Sequence, residues 1–207
     1  MKTALKYYLL AILIGGLFSF TKWEKGPVSF HVDLKKSKLR WTGYYLFEFG
    51  EHNGTVDLAS GDIQVENQMI TTGRFIIDMT SIKDLDMAQD NGGKDLQQHL
   101  LNKDFFDVDQ FPTAQLQIVK TEKIKDASSG GPNYDVFGEL TIKGVRNPIK
   151  FPALITITEN SVEAKARFKF DRTKWDIKYN SGKFFADAGD GAISDAIAID
   201  IELYASK

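Results

Sequence analysis

Val162-Glu163-Ala164-Lys165-Ala166-Arg167-Phe168-Lys169-Phe170 alternates without a break between apolar and charged side chains. A period of two sends successive side chains to opposite faces of a strand, so this segment has one dry face and one wet face. The same reading holds on both sides of it. Ile149, Phe151, Ala153, Ile155 and Ile157 alternate with Lys150, Thr156 and Thr158, and Ile197, Ile199, Ile201 and Leu203 alternate with Asp200 and Glu202. Phe75, Ile77 and Met79, Leu39 and Trp41, and Val136, Gly138, Leu140 and Ile142 supply further apolar faces. Turn-forming clusters recur at short intervals, among them Glu51-His52-Asn53-Gly54, Ser60-Gly61-Asp62, Asn91-Gly92-Gly93, Ser128-Ser129-Gly130-Gly131-Pro132 and Glu159-Asn160.

About eight antiparallel segments with one apolar face each predict an all-β fold, a sandwich or a closed barrel, and the chain length favours an eight-stranded barrel. A barrel of that size has an interior that side chains just fill, or that holds a small ligand when the lining residues are small. Gly138, Ala153, Ala164 and Ala166 stand on the apolar faces and are expected to leave volume.

One segment breaks the strand texture. Lys94 to Asn102 places Leu96, Leu100 and Leu101 on one side of a short helix, and Phe105, Phe106 and Phe111 follow among Asp104, Asp107 and Asp109. Each phenylalanine removes roughly 150–250 Å² from water when it finds an apolar partner, so this is not a solvated loop. A helix over about 94–102 with an aromatic hook is expected to close one end of the barrel, either as a lid over a void or as a plug that fills it.

The composition bounds the function. A chain of 207 residues, 43% hydrophobic, suits one domain with a real core. A net charge of -2 offers no basic surface for nucleic acid. Lys2 and Lys6 precede an apolar run from Leu9 to Phe20, the pattern of a secretory signal over residues 1–22, with the barrel domain over 23–207. The run is short for a spanning helix, so a cleaved signal and a periplasmic or secreted protein are favoured over an N-terminal anchor. Cysteine is absent, which excludes disulfides and a lipoprotein cysteine.

Chemistry has little support. No serine sits in a Gly-x-Ser-x-Gly turn, and nothing in the pattern singles out one carboxylate pair, so no enzyme is expected. His31, His52 and His99 lack His or Cys partners at ligand spacing, so no metal is expected. His52, beside a turn, reads as a hydrogen-bonded structural residue, while His99 on the helix is a minor candidate for a headgroup contact. Asp187-Ala188-Gly189-Asp190-Gly191 reads as a solvated hairpin rather than a calcium loop, and Asp84, Asp86 and Asp90 read as the capped approach to the helix. Arg172 and Lys174 offer cations for an anionic headgroup at the rim, although a surface Asp171–Arg172 arrangement with Trp175 packed on the barrel end is the simpler reading.

The ordered set Trp41-Thr42-Gly43, His52-Asn53-Gly54-Thr55-Val56, Gly73-Arg74-Phe75-Ile76-Ile77-Asp78-Met79, His99-Leu100, Asp104-Phe105-Phe106-Asp107 and Phe111-Pro112-Thr113-Ala114 resembles the YceI-like family. Gly138-Glu139-Leu140-Thr141-Ile142-Lys143-Gly144-Val145, Asp171 through Tyr179 and Ile193-Ser194-Asp195 continue the resemblance, over about residues 28–205. It implies a lipocalin-like barrel exported to the bacterial periplasm that holds a polyisoprenoid or similar amphiphile, and family members often dimerise. The segment from Ser181 to Asp195 departs from the short turn of many relatives and is expected to form a longer hairpin at the mouth.

The function expected is therefore binding and carriage or buffering of an isoprenoid-type lipid, such as a quinone, with no cofactor and no chemistry. Trp41, Phe75, Ile77, Phe151, Phe168 and Trp175 are expected to line the lumen, Leu100, Phe105, Phe106 and Phe111 to close it, and Arg172 to meet the headgroup. Transient membrane contact and a homodimer are compatible with this reading. The alternative is a structural or stress-response interaction protein whose barrel is filled by its own side chains.

Overall fold

A computed structural model describes residues 26–46, 50–87, 92–185 and 191–207. The expected signal at 1–22, the first residues of the expected domain, Asp90 and the 187–190 part of the acidic loop lie outside the described residues. Nine strands follow one another: β1 (Val28–Val32), β2 (Lys38–Tyr44), β3 (Glu51–Glu66), β4 (Met69–Asp84), β5 (Thr113–Lys123), β6 (Tyr134–Ile142), β7 (Val145–Ile157), β8 (Ser161–Asp171) and β9 (Ala196–Ser206). Each pairs antiparallel with its neighbour in sequence from β2 to β9, and β2 pairs back onto β9 to close the barrel.

The nine strands occupy eight positions. Both β1 and β2 lie between β3 and β9, one beyond the other: His31 faces Asp62 and Ser206, while Leu39 faces Val56 and Ile201. They are two halves of one wall position, interrupted where the Asp33 carboxylate accepts from the backbone amides of Lys35 and Lys36, both at 3.1 Å. Closure removes the exposed edges that an open sheet would present.

The alternation in β8 is realised as read. Glu163, Lys165, Arg167 and Lys169 are exposed, and Ala164, Ala166, Phe168 and Phe170 face the lumen. Two sequence expectations change. The clusters Glu51–Gly54 and Ser60–Asp62 are not turns but lie inside β3, the 16-residue third strand. The β3–β4 register shifts between Thr55 and Asp57 and between Leu58 and Ser60, and glycines in a strand mark such irregularities and close approaches. A Cβ on Gly54 would stand 1.8 Å from the Lys83 carbonyl and 2.6 Å from the Trp41 ring. Gly138 does not contribute lumen volume either: a Cβ there would lie 2.7 Å from the Gln117 carbonyl, so its role is the close approach of β5 and β6.

Buried side chains form two clusters. One, around Phe30, Ile63, Tyr134 and Val162, fills the end where β1 lies, and Tyr134 donates to the Gln68 carbonyl at 3.1 Å. The other, around Met79, Leu140, Trp175 and Ile177, fills the end capped by helix α1 (Lys94–Leu101) and includes Leu100, Phe105 and Val108. The helix starts after Gly93 without a side-chain cap, so Asp84 and Asp86 do not serve as its caps; their carboxylates accept instead from the amides of Met87 and Asn53. The hook after α1 is held by its own backbone, with Asp107 N–H on the Asn102 carbonyl at 2.8 Å and Val108 N–H on the Leu101 carbonyl at 3.0 Å. Asp107 takes φ 48° to make the bend. Among the described residues no helix is long and apolar enough to cross a membrane.

Candidate functional site

Between the two clusters the barrel encloses a cavity of about 280 Å³. Its existence follows from the small residues on β7 and β8. Ala153, Ala164 and Ala166 face it, and the lumen-facing Ala164, Ala166, Phe168 and Phe170 remain half-buried because no side chain opposite fills the space before them. The rings of Phe151 and Phe168 stack at 4.3 Å and form a flat wall.

Most of the residues singled out in the sequence meet here. Trp41, Phe75, Ile77, Phe151 and Phe168 line the sides, and Leu100, Phe105 and Phe106 line the helix end. Phe105 is 7% exposed and packs edge-on against His99 at 5.0 Å and tilted against Tyr179 at 5.3 Å, whereas Phe106 is half-buried. His99 in turn lies 3.4 Å from the Asp104 carboxylate and edge-on to Tyr179, so its ring is engaged in fixing the hook.

Phe111, expected to close the lumen, and Trp175, expected to line it, are placed elsewhere. Phe111 lies against the β6–β7 turn, where a Cβ on Gly144 would meet its ring at 3.2 Å. Trp175 is 2% exposed, packs edge-on to Phe170 at 5.1 Å and donates its indole N–H to the Leu140 carbonyl at 2.9 Å. It is a keystone of the end cluster, since an indole buried with its one donor satisfied belongs to packing rather than to a void.

Arg172 touches the cavity wall yet is neither at the surface nor paired with Asp171 as expected. It is 1% exposed and donates to the carbonyls of Ser194, Ile177 and Ile193 at 3.1, 3.0 and 3.2 Å. Burial pushes its guanidinium below its ordinary value, against the pull of Asp195 and Asp171. The arginine clamps the segment before β9 to the turn after β8. Asp171 pairs instead with Lys183, which also reaches Asp195, at 3.1 and 2.8 Å. Burial raises both carboxyls, but the hydrogen bonds from Thr173 and Lys183 to Asp171, and the Lys183 ammonium with the nearby Ser181 hydroxyl beside Asp195, outweigh it and hold both below the ordinary range. Ser181, Lys183, Ile193 and Asp195 are thereby tied together at the helix end, with Ile193 bridging to Tyr45 and Ser181.

The lining is almost wholly hydrocarbon. Its polar exceptions include Arg172, Thr121, whose hydroxyl donates to the Ile70 carbonyl at 2.9 Å, and the Tyr45–His52 pair. Trp41 adds a buried indole N–H with no partner among the described residues.

Sequence reading missed the surroundings of His52. Its Nε2 lies 3.0 Å from the Tyr45 hydroxyl and its Nδ1 2.9 Å from Asp86 Oδ2. Burial raises the neighbouring Asp84 carboxyl, and the Asp86 charge adds to this against the Met87 amide. Asp86 is raised by its own burial but lowered more by the Asn53 amide and the His52 ring, and stays below the ordinary range. The expectation that His52 is a hydrogen-bonded residue describes this geometry, but residues 34 positions apart leave no local spacing signal.

The YceI-like domain profile matches residues 30–205. The chain belongs to the YceI-like family. Solved structures share the fold at low identity. Burkholderia cenocepacia BcnA superposes with a TM-score of 0.63 at 21% identity, covering 84% of this chain and 99% of its own. A polyisoprenoid binding domain from Saccharophagus degradans, implicated in plant cell wall breakdown, superposes with a TM-score of 0.59 at 12% identity, covering 86% of this chain and 97% of its own. A mutant YceI protein of Campylobacter jejuni gives 0.51 at 17% identity, covering 80% and 84%. No curated protein shows significant similarity to the sequence.

Proposed function

We propose that this YceI-like barrel binds and carries or buffers an isoprenoid-type lipid in its lumen, without making or breaking a bond. The observation that carries the reading is the cavity of about 280 Å³ with its nearly all-apolar lining. A polar substrate would lose its hydration there without recovering hydrogen bonds. A hydrocarbon chain loses nothing. The polyisoprenoid binding named for the Saccharophagus degradans domain supports the same ligand class.

Magnitudes limit what the enclosed space can do. A void of ~150 Å³ accepts one benzene, so the cavity takes roughly a dozen carbons, about two isoprene units. At ~0.8 kcal/mol per CH₂ that is on the order of 8 kcal/mol. The cost of association is ~4–15 kcal/mol. Two units therefore give weak binding, and tight binding of a longer chain requires the lumen to widen or the chain to emerge past the half-buried Phe106.

The alternative, an interaction protein with a filled barrel, is disfavoured by the same void. Export to the periplasm fits both the N-terminal pattern Lys2–Phe20 and a lipid-handling role. The test is titration of delipidated protein with geranylgeraniol, read by tryptophan fluorescence. The reading requires saturable quenching that is lost in Trp41→Phe and kept in Trp175→Phe. Failure of the wild-type protein to respond overturns it.

A further inference from the structure

At one end of β3 three side chains from two distant parts of the chain converge. Ligand atoms of His52, Asp84 and Asp86 all lie within 4.8 Å of one another. Each carboxylate has one oxygen fixed by a backbone amide: Asp84 Oδ1 accepts from Met87 N–H at 2.9 Å, and Asp86 Oδ1 from Asn53 N–H at 2.6 Å. The second oxygen of each is what remains for the cluster. Asp86 Oδ2 faces His52 Nδ1 at 2.9 Å, while Asp84 Oδ2 has no hydrogen-bond partner among the described residues, in a residue only 4% exposed.

A buried carboxylate oxygen without a donor is costly, and a second carboxylate beside it makes the arrangement worse unless something positive sits between them. No lysine or arginine is paired with either carboxylate among the described residues. We propose that His52, Asp84 and Asp86 form a binding site for a divalent transition-metal ion of the zinc class, a role independent of the lipid reading.

Donor chemistry and spacing support it. One imidazole nitrogen and two carboxylate oxygens suit a borderline ion such as zinc. Donors each ~2.0–2.2 Å from one ion stand roughly 3–3.5 Å apart, so the His52–Asp86 pair at 2.9 Å needs to open by a few tenths of an ångström, and the widest separation in the cluster, up to 4.8 Å, has to close around the ion by about 1.5 Å. The other imidazole nitrogen, Nε2, is held by the Tyr45 hydroxyl at 3.0 Å. A hydrogen bond to the non-ligating nitrogen is the usual way a protein orients a metal-binding histidine. Bound metal would tie β3 to the end of β4 and the residues that follow it, and Tyr45, just after β2, joins through its hydroxyl.

The experiment is isothermal titration of untagged, metal-stripped protein with zinc chloride, alongside cobalt(II) absorption as a report on the ligand set. Wild type is expected to bind one zinc per chain and to develop visible cobalt bands. Asp84→Asn, isosteric, and His52→Gln, half-exposed, should each lose at least about 100-fold in affinity, and Tyr45→Phe about 10–100-fold. Metal-free circular dichroism checks that the variants fold, and His52→Gln carries the test if Asp84→Asn does not. Absence of one-to-one binding in wild type, or affinity unchanged in folded His52→Gln, overturns the site.

Discussion

Filling the lumen should stabilise this barrel, which is the reverse of what the same change does to a packed core. Ala166 on β8 faces the cavity, in register with Ala153 and Ile201 and two residues from Phe168. Ala166→Phe would place a ring beside the Phe151–Phe168 stack. A benzene-sized group needs a void of ~150 Å³, about half of the 280 Å³ present. Burying the ring in space that is otherwise empty contributes ~1.5–3 kcal/mol. Had the site been full, overpacking would cost ~1–3 kcal/mol. The two cases differ in sign. Lipid binding should move the opposite way: losing room for about one isoprene unit removes ~4 kcal/mol, close to a thousand-fold in affinity at ~1.4 kcal/mol per decade. The assays are urea unfolding of delipidated protein, because bound lipid adds its own stability, and geranylgeraniol titration by fluorescence. A variant that is less stable than wild type and binds geranylgeraniol undiminished refutes the reasoning.

Phe105→Ala should cost ~3–5 kcal/mol in urea unfolding, because its ring is buried against His99 and Tyr179. Phe106→Ala, half-buried, should cost less and mainly speed lipid release in stopped-flow dilution. Trp175→Phe removes the indole N–H bonded to the buried Leu140 carbonyl, which keeps its place in the β6 ladders, and should lower stability by ~0.5–1.5 kcal/mol, measured by the same unfolding. The Asp195 carboxyl lies below the ordinary ~3.9 in the folded protein, so its contribution is full above that value and is lost as pH falls through the lower folded one. Acid unfolding curves of wild type and Asp195→Asn should therefore be separate above the ordinary carboxylate value of ~3.9 and converge as pH falls well below it; curves that stay parallel throughout would contradict the Lys183 network.

Where alternation was strict the fold was legible. In β8 nothing but strand pairing satisfies Val162 through Phe170, and the break at Lys94 marked a helix that ends within one residue of where the leucines stop. Gly54 and Gly61 misled, because glycine serves close approach inside a strand as readily as a turn, and only the positions of Trp41, Lys83 and Val32 decide between the two. The aromatic lining was legible for the same reason as the strands. Arg172 was not: a charged residue after a strand ordinarily points to water, and the three carbonyls that draw it inward belong to residues 5–22 positions away. Trp175 shows that an aromatic at a barrel end is assigned to void or packing by its hydrogen-bond partner, which sequence does not display.

Whether the lumen is occupied is read directly by native mass spectrometry of the protein purified from its own host, with lipid extraction and identification. Each barrel should carry one isoprenoid chain, lost on organic extraction and reduced in Ala166→Phe. Wild-type protein that leaves the host at its bare polypeptide mass, and takes up no polyprenol afterwards, would contradict it.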